Sequence, residues 1–252
     1  MVYFVGAGPG AVDLITVRGA ELLKKADVII YAGSLVNPEL LSYAKKECVI
    51  YNSASMTLEE VINVIEESYK NHKMVVRLHT GDMSIYGAVR EQSDILKSKN
   101  IPFESVPGVS SFLGAAAALN AEYTLPAVSP TVILTRMAGR TPVPEKENIR
   151  HLASHNASMV IFLSSSMLGK LAEELTAGGY SKDTPCAIVY KATWDDEVKV
   201  VTTIENLEKA GRENNISKTA LVLAGDFLGD IYDRSKLYDG TFSHEFRKGT
   251  NG

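Results

Sequence analysis

The chain opens on an apolar run that ends in a glycine-rich turn, VYFVGAGPG at positions 2–10, and a second such stretch follows at 74–87, MVVRLHTGDMSIYG. Each stretch begins with a β-type run, at 2–5 and at 74–78, and continues into a turn that contains glycines, which indicates a strand that ends in a tight turn. Glycine lacks a Cβ, so main-chain N–H and C=O groups in such a turn can approach a ligand closely. The two stretches predict an α/β protein that holds a small molecule largely by its backbone.

A dinucleotide-binding turn is the first alternative, because Gly6, Gly8 and Ala11 have the G-x-G-x-x-A spacing of that motif. Two observations count against it. An acidic residue is expected after the second strand to bind a ribose, but the chain has IIYAGS at 29–34, and Pro9 removes an N–H from the turn. A nicotinamide-dependent oxidoreductase stays an alternative at this point, and so does a purely structural turn.

Composition excludes several classes of protein. The 252 residues are 45% hydrophobic and 22% charged, which is typical of a globular protein, and the net charge of −4 argues against a nucleic-acid partner. The sequence has no stretch long enough for a membrane span and no export signal, so we expect a cytoplasmic protein without a membrane partner. Its two cysteines are expected to be buried thiols, and the spacing of its histidines predicts no metal site.

The order of elements predicts two α/β domains. Five β-type runs, at 2–5, 28–31, 48–51, 74–78 and 103–106, alternate with helical patterns in the first half, as in a parallel sheet. Thr16 is a predicted cap for a helix at 17–26, and Thr57 with Glu60 predicts a capping box. The apolar stretch 110–121 predicts a helix buried on all sides. A short turn before the run 198–203 predicts a hairpin, and hence a mixed second sheet. The predicted organisation is an N-terminal domain at 1–122, a proline-containing linker at 123–130, a C-terminal domain at 131–232 and a polar tail at 233–252.

Few side chains suggest chemistry on their own. His79 and Asp82 follow the fourth run, at the end of a strand where ligands bind in open α/β sheets, although Asp82 also suits a structural turn. The segment 135–145 carries Arg136 and Arg140, whose guanidinium groups suit carboxylates, although a solvated surface loop explains them equally well. Trp194, the single tryptophan, follows a predicted strand and lies next to charged residues, but an aromatic residue at the edge of the core accounts for it as well.

Taken together, several segments resemble the tetrapyrrole methylase family across nearly the whole chain. They are VGAGPG at 5–10, 77–87, VPGVSS at 106–111 and IFLSS at 161–165. Other segments look like the branch of this family that methylates C-11 of precorrin-4 or cobalt-precorrin-4. They are YAGSLV at 31–36, HTGD at 79–82, LTR at 134–136, GRTPVP at 139–144 and YKATW at 190–194.

This resemblance implies a fold, a cofactor and partners. It implies two α/β domains of the tetrapyrrole methylase type, distinct from Rossmann-type methyltransferases, with the active site in the cleft between them. It also implies S-adenosylmethionine as cofactor, S-adenosylhomocysteine as product, a tetrapyrrole substrate and a homodimer. Main-chain contacts from both domains would bind the cofactor, which accounts for the missing ribose acid.

Matching motif positions carry the expected contacts onto this sequence. The cofactor contacts that the resemblance implies come from three turns of the first domain and from three positions of the second: Pro9, Thr80, Gly81, Asp82, Ile85, Ser110 and Ser111, then Leu163, Ala192 and Ala220. The candidates for contact with the substrate are Arg136, Arg140, Arg90, Lys191, His79 and Tyr86. One position departs from the family, because Met83 stands where a proline usually follows the Gly-Asp pair.

Other functions stay open on the sequence. A sister tetrapyrrole methylase that acts at C-2/C-7, C-17 or C-20 would share the cofactor turns but lack the segment 136–144. A non-catalytic sensor could use the same cleft to bind the same ligand. The sequence does not distinguish a cobalt-containing substrate from a metal-free one, because neither requires a metal ligand from the protein.

Overall fold

The computed structural model describes residues 1–250, which divide into two compact units. The first unit comprises Met1–Ala115 and Lys191–Glu197, and the second comprises Ala116–Tyr190 and the chain from Val198 onward. Each unit contains one five-stranded sheet with helices, so the α/β class predicted from the sequence is confirmed. The domain boundaries drawn from the sequence stay a prediction, and residues 251 and 252 of the predicted tail lie outside the described residues.

The sheet of the first unit is entirely parallel, with strand order β3-β2-β4-β1-β5. Its strands are β1 (Val2–Gly6), β2 (Val28–Tyr31), β3 (Val49–Asn52), β4 (Val75–His79) and β5 (Phe103–Val106). Because all five run in the same direction, their carboxyl ends lie at one edge of the sheet. The loops that follow β1, β4 and β5 therefore leave this edge side by side.

The helices of this part of the chain begin where the sequence predicts them. They are α1 (Val17–Lys25), α2 (Leu58–Lys70), α3 (Val89–Ser98) and α4 (Ser111–Leu119), with short 3-10 helices at Val12–Leu14, Pro38–Tyr43 and Ser53–Ser55. Thr16 caps α1 by accepting a hydrogen bond from the Gly19 N–H. Thr57 and Glu60 form a complete capping box at α2, in which each side chain accepts from the other residue's N–H.

The prediction that the helix after residue 110 is buried on all sides is wrong. In α4 the side chain of Leu113 is 48% exposed, and burial is confined to 114–116. The buried residues are small, and a Cβ on Gly114 would lie only 2.7 Å from the Cβ of Pro9. Close backbone approach, rather than enclosure of a fully apolar helix, explains the run of glycine and alanine.

Both faces of the first sheet are covered by apolar cores. One core packs Leu23 of α1 and Leu40 against Leu78. The other packs Phe4 against residues of α2 and α3, among them Ile65 and Leu96. Burial of each side chain of this size contributes about 1.5 to 3 kcal/mol to the free energy of folding. The sheet is therefore a stable support for the loops at its edge.

The second sheet is mixed, with strand order β6-β7-β10-β8-β9. Its strands are β6 (Val132–Arg136), β7 (Ser158–Phe162), β8 (Pro185–Tyr190), β9 (Val198–Thr203) and β10 (Ala220–Ala224). Its helices are α5 (Ile149–Ala153), α6 (Leu168–Gly178) and α7 (Leu207–Glu213), with 3-10 helices at Glu145–Glu147, Asp226–Leu228 and Lys236–Tyr238. Only β6 and β7 pair in parallel, and β8 and β9 form the predicted hairpin.

The two cysteines differ in their surroundings. Cys186 on β8 is buried as predicted, and burial raises the pKa of its thiol to about 12. Cys48 is half-buried beside the exposed edge strand β3, so the expectation of a buried thiol is wrong there. No helix within residues 1–250 has the length and apolar character needed to cross a membrane. The same residues contain no group of three or more His, Cys, Asp or Glu that could hold a metal ion.

Candidate active site

The two glycine turns that the sequence singled out are hydrogen-bonded to each other. The Gly8 N–H donates to the Gly81 carbonyl at 3.2 Å, and the Gly81 N–H donates to the Gly8 carbonyl at 2.9 Å. This bridge is possible because β1 and β4 are neighbours in the sheet. Both residues have positive φ, +85° and +60°, which glycine adopts without strain. The two turns are therefore one structural unit at the carboxyl edge of the sheet.

A third loop, which follows β5, packs against this bridge. A Cβ on Gly108 would lie 2.7 Å from the Cα of Gly6, and closer still to the carbonyl oxygen of Gly81. The carboxylate of Asp82 joins the loops, because it accepts hydrogen bonds from the N–H groups of Gly108 (2.8 Å) and Ser84 (2.9 Å). Burial acts to raise the pKa of Asp82, but a hydrogen bond from the Ser84 hydroxyl, together with these two backbone bonds, outweighs it and lowers the pKa below its ordinary value. Asp82 is thus an ionised cross-link between two loops.

His79 and Thr80 stand where β4 enters its loop, and both carry an unpaired polar atom. Among the residues that the structure describes, Nε2 of His79 and Oγ1 of Thr80 are buried without a hydrogen-bond partner. Burial is the main cause that lowers the pKa of His79 to about 3, and the nearby charge of Arg77 adds to it. The imidazole is therefore neutral near pH 7. Buried polar groups normally have partners, so two consecutive exceptions mark this loop as unusual.

Arg77 is a buried cation to which the sequence analysis assigned no role. Its guanidinium donates to the Gln92 side chain and to the carbonyls of Ile30 and Leu78. Burial lowers its pKa to about 10, which still leaves it charged at neutral pH. The sequence feature that could have indicated a buried cation is the single arginine within the otherwise apolar run 74–78. Its charge adds to the burial that keeps the neighbouring imidazole of His79 neutral.

Backbone strain concentrates in the predicted site loops. Of the residues other than glycine with positive φ, five follow helix ends, where a left-handed residue is the ordinary way to terminate a helix: His72, Asn100, Asn120, Asn156 and Asn215. Five others lie in loops that follow β4, β7 and β8: Tyr86, Ala88, Leu163, Lys191 and Thr193. No helix end explains these five. Strained backbone of this kind is typical of ligand-binding loops.

The loop of the β8–β9 hairpin belongs to the first unit and contacts its first glycine turn. Thr193 Oγ1 accepts a hydrogen bond from the Ala11 N–H at 3.0 Å, and Trp194 Nε1 donates to the Pro9 carbonyl at 3.2 Å. The Lys191 ammonium pairs with Asp196 and lies 5.0 Å from the centre of the Trp194 ring. The sequence patterns predict this segment as part of the second domain and indicate no role for Thr193 or Trp194.

In the second unit, the predicted residues also gather at one edge of the sheet. Leu163 follows β7 directly, has a φ of +53° and is 62% exposed, which is unusual for a leucine. Ala220 opens β10, and the antiparallel register with β7, extended by two residues, places it opposite Leu163. The loops after β6 and β7 are joined at this edge, because the Met137 N–H donates to Ser164 Oγ at 3.0 Å.

The three candidate arginines lie in different environments. The Arg136 guanidinium donates to the carbonyls of Met137, Thr141 and Pro142, so it orders its own loop. Arg140 is exposed on that same loop. Arg90 is exposed on α3 and pairs with Asp94 one helical turn away, at 2.7 Å.

The structure thus gathers the candidates into two groups. The first unit contains most of them: Pro9, His79, Thr80, Gly81, Asp82, Ile85, Tyr86, Arg90, Ser110, Ser111, Lys191 and Ala192. The second unit contains Arg136, Arg140, Leu163 and Ala220. Their individual roles stay predictions.

The dinucleotide alternative loses its structural basis. In that motif the glycine turn leads directly into an α-helix whose N-terminus faces pyrophosphate. Here a 3-10 helix at Val12–Leu14 follows the turn, and α1 begins only at Val17. The Gly8 N–H is also committed to the bond with Gly81.

The model of one family, Tetrapyrrole (Corrin/Porphyrin) Methylases, matches residues 1–208. The chain belongs to this family. A cobalt-precorrin-4 C(11)-methyltransferase of Methanocaldococcus jannaschii is 53% identical over 248 residues, which cover 98% of this chain and 96% of the relative. The X-ray structure of a cobalamin biosynthetic enzyme, cobalt precorrin-4 methyltransferase, is 48% identical with a TM-score of 0.89, and the match covers 91% of this chain and 96% of that one.

A more distant tetrapyrrole methylase indicates the cofactor type. The uroporphyrin-III C-methyltransferase of Thermus thermophilus, complexed with S-adenosylhomocysteine, is 27% identical with a TM-score of 0.76. The match covers 90% of this chain and 98% of that one. Membership of the tetrapyrrole methylases confirms the family that the sequence motifs predicted, and it identifies the chain as a methyltransferase with a cofactor of the S-adenosylmethionine type.

Proposed function

We propose that this tetrapyrrole methylase transfers a methyl group from S-adenosylmethionine to C-11 of precorrin-4 or cobalt-precorrin-4 in cobalamin biosynthesis. The observation that carries the proposal is the bridge between Gly8 and Gly81, two residues without a Cβ, which joins the two turns at the carboxyl edge of a parallel sheet. The substrate and the position of methylation are supported by the relative at 53% identity, a cobalt-precorrin-4 C(11)-methyltransferase, and by the cobalt precorrin-4 methyltransferase at 48% identity.

Residues at the edge of each of the two sheets suit a cofactor held mainly by the backbone. Thr80 contributes a buried hydroxyl without a partner among residues 1–250, and Leu163 contributes an exposed apolar side chain on a strained turn. Pro9, Gly81, Asp82, Ile85, Ser110, Ser111, Ala192 and Ala220 complete the proposed contacts. Asp82 would act chiefly through the loops that it joins, since both of its oxygen atoms accept hydrogen bonds from the protein.

Alignment would account for most of the catalysis. Bound S-adenosylmethionine supplies a methyl group on a sulfonium, which an electron-rich ring carbon can attack in line. Holding two reactants in the correct geometry lowers a barrier by about 7 to 11 kcal/mol, whereas one general acid or base contributes about 3 to 5 kcal/mol. A rigid pocket with few ionisable side chains is therefore sufficient for this reaction.

Cationic side chains would orient the tetrapyrrole through its carboxylates. Arg140 is exposed on a loop that Arg136 orders by hydrogen bonds to the backbone, so we propose Arg140 as the direct contact and Arg136 as its support. Lys191 and Arg90 are further candidates for carboxylates, and His79 and Tyr86 are candidates for the ring. Arg140→Ala should weaken tetrapyrrole binding and leave cofactor binding intact, whereas Arg212→Ala, on α7, serves as the control. Unchanged substrate affinity in Arg140→Ala would remove this role.

The decisive experiment identifies the methylated carbon. The protein is incubated with S-adenosylmethionine carrying a ¹³C-methyl group and with precorrin-4 or cobalt-precorrin-4, and the product is examined by NMR. A new methyl at C-11 supports the proposal, and comparison of the two rates identifies the natural form of the substrate. A methyl at C-2, C-7, C-17 or C-20 would assign the protein to a sister reaction, and binding without turnover would indicate a sensor.

Calorimetry provides a simpler test of the cofactor. S-adenosylhomocysteine should bind at micromolar concentration and NADH should not, and the reverse result would overturn the proposed cofactor. We also propose a homodimer, which the family resemblance implies, and a cytoplasmic location, which the sequence patterns predict. Light scattering coupled to size-exclusion chromatography would give the mass of the assembly, and 27 kDa would contradict the dimer.

A further inference from the structure

The loop of the β8–β9 hairpin, Lys191–Glu197, makes two hydrogen bonds to the first glycine turn that the proposed function does not use. Thr193 accepts from the Ala11 N–H, and Trp194 donates to the Pro9 carbonyl. The Asn37 side chain donates to the Gly10 carbonyl from another direction, at 3.1 Å. Backbone groups at three consecutive residues of the turn are thereby held by side chains distant in sequence.

Packing makes the fit between loop and turn tight. A Cβ on Gly10 would overlap Cδ1 of Trp194 and would lie 2.8 Å from the carbonyl oxygen of Ala192. A Cβ on Gly114 would lie 3.4 Å from Cγ2 of Thr193. Gly10 is therefore required by the indole that covers it. The glycine turn and the hairpin loop hold each other in one conformation.

The backbone of Thr193 identifies the key side chain of this contact. Its φ of +69° is unfavourable for a β-branched residue, and glycine or asparagine would adopt it more easily. Two hydrogen bonds offset this strain, because the Thr193 N–H donates to Glu197 Oε2 at 2.7 Å and the hydroxyl accepts from Ala11. Neither glycine nor asparagine would place a hydroxyl there. A strained threonine is explained if the position of its oxygen atom matters.

We infer that Thr193 is a positioning residue for cofactor binding, which acts by holding the Ala11 N–H and thereby the conformation of the turn at 6–10. Trp194 supports the same turn through Pro9. Loss of the Thr193 hydroxyl leaves the Ala11 N–H without its acceptor, so the turn populates other conformations. Binding must then restore the conformation that is competent to bind. The apparent affinity is therefore reduced in proportion to the fraction of molecules that remain in that conformation. The inference rests on the proposed function, because it assumes that the turn binds S-adenosylmethionine.

A matched pair of variants tests the inference. Thr193→Val keeps the β-branched shape and removes the acceptor, whereas Thr193→Ser keeps Oγ and removes a methyl group. The affinity for S-adenosylhomocysteine is measured by calorimetry, and thermal unfolding is followed through Trp194 fluorescence. We expect Thr193→Val to bind about tenfold more weakly than the wild type, which corresponds to about 1.4 kcal/mol, and Thr193→Ser to bind within about twofold of it.

Each outcome decides the question. Wild-type affinity in folded Thr193→Val, or equal losses in both variants, would overturn the role of the hydroxyl, even if the melting temperature falls. A folded wild-type protein that does not bind S-adenosylhomocysteine would instead overturn the proposed cofactor, and with it this inference. If Thr193→Val does not fold, Trp194→Phe keeps an aromatic ring and removes only the indole N–H. A loss of about fivefold supports the inference, and unchanged affinity contradicts it.

Discussion

Replacement of His79 by asparagine should change how the stability of the first unit depends on pH. His79 is buried at the end of β4, and its pKa is lowered to about 3 by burial and by the charge of Arg77. Its hydrogen bond with the Gly87 backbone acts in the opposite direction, and because Nε2 has no partner among the described residues, we assign this bond to Nδ1. Asparagine can place an amide near Nδ1, and it does not titrate in this range.

The magnitude follows from the difference in pKa between the unfolded and the folded states. The unfolded chain takes up a proton near pH 6.5, its ordinary value, whereas the folded chain does so only near pH 3. Between these values the unfolded state binds more protons, so the free energy of unfolding decreases as the pH falls. Each unit of pKa difference corresponds to about 1.4 kcal/mol, and the wild type should lose about 2 kcal/mol relative to His79→Asn between pH 6.5 and 4.5.

Urea unfolding at pH 6.5, 5.5 and 4.5 measures this difference. Trp194, the only tryptophan, belongs to the first unit, so its fluorescence follows the unfolding of the unit that contains His79. His155→Asn, on an exposed histidine, is the control and should follow the wild type at every pH. A constant difference between the wild type and His79→Asn across this range would refute the argument, because it would mean that the folded protein protonates His79 as readily as the unfolded chain does.

Three further predictions test other parts of the fold. Gly108→Ala should destabilise the protein by about 3 kcal/mol in urea unfolding, because its Cβ meets main-chain atoms that cannot move aside, whereas Gly240→Ala should change stability by less than about 0.5 kcal/mol. Thr57→Ala should lower the free energy of unfolding by about 1 kcal/mol, because the capping box of α2 is lost. The affinity for S-adenosylhomocysteine, measured by calorimetry, should not change. Arg136→Lys should speed proteolysis within 137–142, because an ammonium cannot reproduce the forked contacts to two carbonyls, and unchanged cleavage would contradict that role.

Local patterns in the sequence predicted the elements of the fold accurately. The five β-type runs of the first half form strands whose ends agree to within one residue, and both Thr16 and Thr57 cap the predicted helices. These features depend on neighbouring residues, so a single sequence contains the information that fixes them. The mixed second sheet could also be predicted from the sequence, because the short turn between β8 and β9 favours a hairpin.

The contacts that shape the site could not be read in the same way, because they join distant parts of the chain. The bridge between Gly8 and Gly81 depends on β4 lying beside β1, which strand-like patterns do not specify. The bond between Thr193 and Ala11 spans 182 residues. Trp194 illustrates the consequence, because its sequence context suggested an aromatic at the edge of the core and did not reveal its bond to Pro9.

Met83 shows how packing can take over a role that covalent geometry has elsewhere in the family. Proline, which the family resemblance leads us to expect after the Gly-Asp pair, would restrict the loop by fixing φ. In this chain the Met83 side chain packs against the core that contains Phe4 and Ile62, so burial anchors the loop at the same point. A Cβ on Gly87 would overlap the Met83 carbonyl, which requires the loop to close tightly around this anchor. The strained Tyr86 therefore lies in a loop held at both ends, by Asp82 and Met83 on one side and by Gly87 on the other. Thr80, whose hydroxyl has no partner among residues 1–250, lies just before this loop. Methionine in place of the expected proline is compatible with an ordered loop, because apolar burial supplies the restraint.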